Sequence, residues 1–224
     1  DGAGASAADL GFDPATGAAR TIGTLDATSL GALGDDALKN LSSDQIGTLD
    51  AAAVGGLSSD QLGSLAPGAV AGLTGAQLGE LTTEAIAGFS GSQAAGLNAN
   101  AIGSLTSDQL GGMTADAMAG FGATQTAAFD TAAVAGLGAD QLGGMTGAAM
   151  SGLGKDQMAA LDPLAMGGLG ATQAAGMAPT AMSGLSKDQM AALGADAMGG
   201  FGATQMAALA PTAMAGLGAD QMGG

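Results

Sequence analysis

The residues of this chain that could do chemistry are a row of amides and a scatter of carboxylates. Gln stands at 16-residue intervals, as Gln45, Gln61, Gln77, Gln93, Gln109, Gln125, Gln141, Gln157, Gln173, Gln189, Gln205 and Gln221. The three residues before each one vary, as in "SSD", "TGA", "SGS", "GAT" and "GKD", but the Gln does not. A merely solvated Gln would drift as its neighbours do. An amide both accepts and donates, which suits a packing seam that must satisfy backbone groups. Two roles fit: helix propensity with a capping box, or a structural ladder in which each amide bonds to the backbone or amide of the next coil. The ladder is preferred, and a ligand-binding row is set aside.

The carboxylates gather at the fourth position of each repeat, as Asp44, Asp60, Glu84, Asp108, Asp116 and Asp140. Calcium needs several converging oxygens, and stacked coils could align Asp44 with Asp60 or Asp140 with Asp156. Equivalent positions hold Ala76, Ser92, Thr124, Thr172 and Thr204, so the row is broken. Solvated carboxylates at helix starts, screened by non-specific divalent cations, are expected instead of a metal site. The chain has no His and no Cys. Ser–His–Asp chemistry, thiolate nucleophiles and Cys/His zinc sites are therefore closed to these 224 residues. With no phosphate-binding glycine motif either, the expectation is no enzyme and no cofactor. A net charge of −16 argues against nucleic acid as a partner. No apolar run is long enough to span a bilayer.

The elements that must hold these groups are octads. From Leu25 to Gly224 the chain divides into 25 eight-residue units without insertion. The first position is always Leu, Met or Phe, and the sixth is apolar in all but one, Thr126. All 13 Met residues lie at these two positions. From the second octad on, position five alternates between Ala and Gln, so the sequence repeats every second octad, as in "LSSDQIGTLDAAAVGG" at 41–56. Residues 1–24 keep the composition without the register and read as a lead-in or an N-terminal cap. Residues 25–224 read as one array. The missing C-terminal cap suggests that it continues in a longer chain or through another copy.

Each octad reads as one short helix. Position two is rich in Ser, Thr, Asp, Asn and Gly, the helix-capping residues. Ser42 with Gln45, Ser58 with Gln61 and Thr106 with Gln109 have capping-box spacing. Pro67, Pro163, Pro179 and Pro211 fall at position three, the first helical residue, where no hydrogen bond is lost. Gly at seven and eight would let the chain turn into the next unit. A continuous helix is excluded, because an eight-residue period lets the apolar stripe drift by roughly 80° per repeat. Helices this short need neighbours, so the fold class is an all-α repeat solenoid with one helix per octad and two antiparallel helices per two-octad coil. A β-solenoid is the alternative, disfavoured by Ala, Gln, Met and Leu where strands prefer Val, Ile and Thr.

Units such as "LSSDQIGTL", "LTTEAIAGF" and "LTSDQLGGM" resemble the octapeptide "L-T-x-x-Q-I/L-x-x-L" arrays of large secreted or surface-attached bacterial proteins. The resemblance covers residues 25–224 and implies a secreted or cell-surface setting without naming a ligand. The function expected is an extracellular structural repeat protein, a self-assembling filament or matrix subunit, with end-to-end or lateral self-association. Alternatives are the stalk or binding module of a bacterial adhesin and an ice-binding surface. The last would need Thr at one repeat position, whereas Thr74, Thr82, Thr83, Thr106 and Thr124 are scattered.

Overall fold

The computed structural model describes residues 25–222. Among them lie 24 α-helices of four to six residues and one 3-10 helix, Pro163–Gly168, one for each octad, with no strand. The chain is an all-α solenoid. The sequence-predicted lead-in or cap, residues 1–24, lies outside the described residues.

Local chemistry starts each helix where the spacing predicts. Ser42 Oγ accepts from Gln45 N at 3.2 Å, and Asp50 Oδ1 accepts from Ala52 N at 2.9 Å. Pro67, Pro163, Pro179 and Pro211 each open a helix at N1 or N2. At the first described helix, Ala27–Gly31, Asp26 caps Ser29 N at 2.8 Å. The hydrogen bonds to Ser29 hold the Asp26 carboxyl below its ordinary range. That cap is therefore fully present above the usual carboxylate pKa and is lost as pH falls through the lowered one.

The two octad types make different helices. Gln-type octads run to the end of the unit, as in Ser43–Thr48, Ser59–Ser64 and Gly75–Glu80. Most Ala-type octads stop sooner, as in Pro67–Val70, Thr83–Ile86 and Ala99–Ile102. The corner between helices is two extended residues, for example Leu49 (ψ 147°) and Asp50 (ψ 138°). No described glycine has a left-handed φ. The turn is thus made at positions one and two, not by glycines at seven and eight as the sequence suggested.

The coil is also larger than predicted. The helix Ala51–Gly55 packs on Ala27–Gly31 and on Gly75–Glu80, and the same step of three octads relates every substantial helix pair in the array. A coil is therefore three octads and three helices, not two of each. Two extended residues turn the chain through a corner without reversing it, so three sides are needed before it meets itself again. The result is a three-sided prism. First- and sixth-position side chains fill its interior, with Leu62, Leu78, Ile86, Leu110, Met118, Met158 and Met182 fully buried. Ala at position five is buried in every Ala-type octad from Ala37 to Ala213.

A three-octad coil and a two-octad sequence period have a geometric consequence. Along each side of the prism, Gln-type and Ala-type helices must alternate. Where an Ala-type helix lies on the Gln-type helix of the previous coil, the contact is backbone on backbone. A Cβ on Gly72 would overlap the Ser43 carbonyl, and one on Gly136 would overlap that of Ser107. Glycine is used there for close approach.

Thr126 is the single polar sixth residue, and it is fully buried. Its hydroxyl donates to Ala149 O at 2.7 Å in the next coil. Nearby, Phe121 and Phe129 meet edge to face, with ring centroids 5.3 Å apart. Replacing Thr126 by isosteric Val removes the hydroxyl and leaves the Ala149 carbonyl without it. We expect a loss of about 1–2 kcal/mol by urea unfolding, and no loss would show that this bond adds nothing.

Candidate functional site: the glutamine seam

The two ends of each Gln side chain do different jobs. In all twelve, Oε1 accepts from the backbone N–H three residues earlier, at 2.7–3.1 Å. This closes the start of the residue's own helix. Where position two is Ser or Thr, as at Ser42, Thr74 and Ser90, its hydroxyl completes the box by accepting from the Gln N–H. Where it is Gly, as at Gly138 or Gly170, only the Gln half is made.

Nε2 reaches back to an earlier coil. Gln77 donates to Ile46 O at 2.7 Å and Leu49 O at 2.9 Å, and Gln93 to Leu62 O at 2.7 Å and Leu65 O at 2.8 Å. Gln109, Gln125, Gln157, Gln189, Gln205 and Gln221 repeat this arrangement, with acceptors 31 and 28 positions earlier. Gln141 and Gln173 shift one acceptor by a residue, bonding Gly111 O with Met113 O and Gly143 O with Met145 O. Gln61 donates to Gly31 O at 2.7 Å. Gln45 Nε2 is buried and has no partner among the described residues. The spacing of its counterparts falls on Pro14 and Gly17, outside that range.

The first acceptor lies at the C-terminal end of another Gln-type helix, where carbonyls lack the usual i+4 partner. Ile46 O and Leu62 O take the C-cap N–H of Leu49 and Leu65, both at 3.1 Å, and the Gln amide is their second donor. The second acceptor is the corner that follows. One side chain thus closes the start of its own helix and the end of the Gln-type helix four octads back. The links form two interleaved series, one through Gln45, Gln77, Gln109, Gln141, Gln173 and Gln205, the other through Gln61, Gln93, Gln125, Gln157, Gln189 and Gln221. Among the described residues, no Gln amide bonds another. Each is joined to its series through the backbone, and sequence reasoning missed that four-octad step because it assumed the wrong coil.

The acidic groups are arranged differently from the sequence expectation. Asp44 does not stack on Asp60, nor Asp140 on Asp156, because neighbours along a side are three octads apart. That step stacks Asp36, Asp60, Glu84 and Asp108 as one exposed row. Among the described residues, no group of three or more Asp or Glu converges as a metal site would require. A cleft of about 650 Å³ is an open groove between Thr114, Ala139, Gly143 and Gly168, with Asp140 its one ionisable lining residue. No helix among the described residues is long and apolar enough to cross a membrane.

The exposed row makes a salt prediction. Raising NaCl from ~0.01 to ~0.15 M cuts the screening length from ~30 to ~8 Å. The thermal midpoint should rise over that range, and magnesium at matched ionic strength should add nothing further. A specific magnesium effect would contradict diffuse screening.

No protein-family model matches this chain, and no curated protein matches it.

Proposed function

We propose that this chain is the rod of an extracellular structural protein, a subunit of a self-assembling filament or matrix, and not an enzyme. The observation that carries this reading is the fate of the glutamines. The one polar residue type held constant through the array is spent on backbone bonds within and between coils. Outward positions three and four vary from coil to coil instead, so the repeat holds its own geometry constant rather than a surface for a ligand. The likeness to octapeptide arrays of secreted and surface-attached bacterial proteins supports the location. The regular row on one face is carboxylate rather than Thr, which argues for a structural role over ice binding.

The test is cryo-electron microscopy with small-angle scattering near physiological salt. About eight coils at 8–10 Å each give a rod roughly 65–80 Å long. Filaments many times that length, with coils continuous along the axis, are the expected result. Discrete rods of one chain's length at every concentration would defeat the filament and leave an adhesin stalk.

A further inference from the structure

We propose that this solenoid is locked in register by type, so that its length can change in steps of two octads but not by one complete coil of three. The rule rests on coil geometry and is independent of what the rod is used for. Helices that stack along a side are three octads apart, and types alternate every octad. Removing an even number of octads leaves every Gln-type helix on an Ala-type helix. Removing an odd number, including the three of a whole coil, sets like on like across the junction. A full coil is the change that simple geometry favours, and here it is the wrong one.

The region 177–200 makes the difference concrete. Deleting 177–192 brings Gln205 into the slot of Gln189, whose amide holds Met158 O and Leu161 O at 2.7 and 2.8 Å. Gly200 then takes the place of Gly184, where a Cβ would overlap the Lys155 carbonyl, and both contacts are preserved. Deleting 177–200 instead puts Ala213 in the slot of Gln189, so both carbonyls lose the Gln amide and Met158 O keeps only the Leu161 N–H. It also puts Ala208 in the slot of Gly184, driving its Cβ onto Lys155 O. One junction loses a clamp and gains a collision.

The same arithmetic sets the direction in which the rod presents its far end. Each two-octad step is two-thirds of a turn, so a face returns to its original bearing only after six octads. Array length and the orientation of anything borne at the end are therefore coupled.

The test compares three deletions in the full chain by urea unfolding with far-ultraviolet circular dichroism: 177–192, 177–200 and 161–192. The last removes four octads and places Gln205 and Gly216 in the slots of Gln173 and Gly184. The expected order is that the four-octad deletion has a higher midpoint than the three-octad one, although it leaves a chain shorter by an octad. Ala208→Gly in the three-octad deletion should recover part of the loss. Stability that simply follows length, or failure of the two- and four-octad deletions to fold while the three-octad one folds, overturns the proposal. Failure of all three overturns it too, since the even deletions are required to fold.

Discussion

Gly136→Ala lowers the unfolding free energy by roughly 3 kcal/mol, although the change adds only one methyl group, two residues past the end of the short helix Thr131–Val134. The added carbon would overlap the Ser107 carbonyl, and backbone on both sides leaves nothing flexible to give way. The coils would have to separate locally, costing contacts for the helices Ser107–Gly112 and Thr131–Val134 together. Gly68→Ala is the control. It lies inside the helix Pro67–Val70 with nothing near the new carbon, so the same substitution should stabilise by about 0.4–1 kcal/mol. Chemical denaturation of both variants reads the contrast directly. Equal effects would mean that glycine serves the turn and not the approach of coils.

Gln93→Ala should cost a similar amount, roughly 2–4 kcal/mol. It strips the amide from Leu62 O and Leu65 O and leaves Ser90 N without its acceptor. The side chain is buried, so water cannot replace these bonds without opening the seam. Gln173→Ala should cost less, because its bond to Gly143 O is exposed. Gln93→Glu keeps the capping acceptor but turns a donor pair into a carboxylate facing two carbonyls. Relative to the parent at each pH, this variant should be weakest near neutrality. It should recover in acid, where the protonated group can donate one bond. Hydrogen exchange supplies the location: protection should fall in Ser59–Ser64 and Gly91–Gly96 and persist in distant coils, because a solenoid couples through neighbours. Loss of protection along the whole array would refute a local clamp.

Much of this was legible in the residues because the relevant distances along the chain are short. Ser42 capping Gln45 spans three positions, and a Pro at the first helical residue is read within its own octad. The inward positions one and six follow from their apolar constancy. The glutamines were legible as important, since nothing solvated keeps its identity while its neighbours change. Their partners were not, because Gln77 reaches Ile46 and Leu49 across more than a coil, and that distance depends on how many octads close a turn.

The sequence by itself determined that helices form, where each begins, which side chains enter the interior, and that two types of unit alternate. Those are consequences of local hydrogen bonding, capping and apolar patterning. Only the tertiary structure decided that three units close a coil, that glycine at position eight serves the approach of neighbouring backbones, and that Asp36, Asp60, Glu84 and Asp108 share one face. The reason is the corner. Two extended residues at each octad boundary set the angle between successive helices, and small angular differences there decide whether two or three sides close. That angle appears in no residue's identity and emerges only when the interior must be filled and the Gln amides must find their carbonyls.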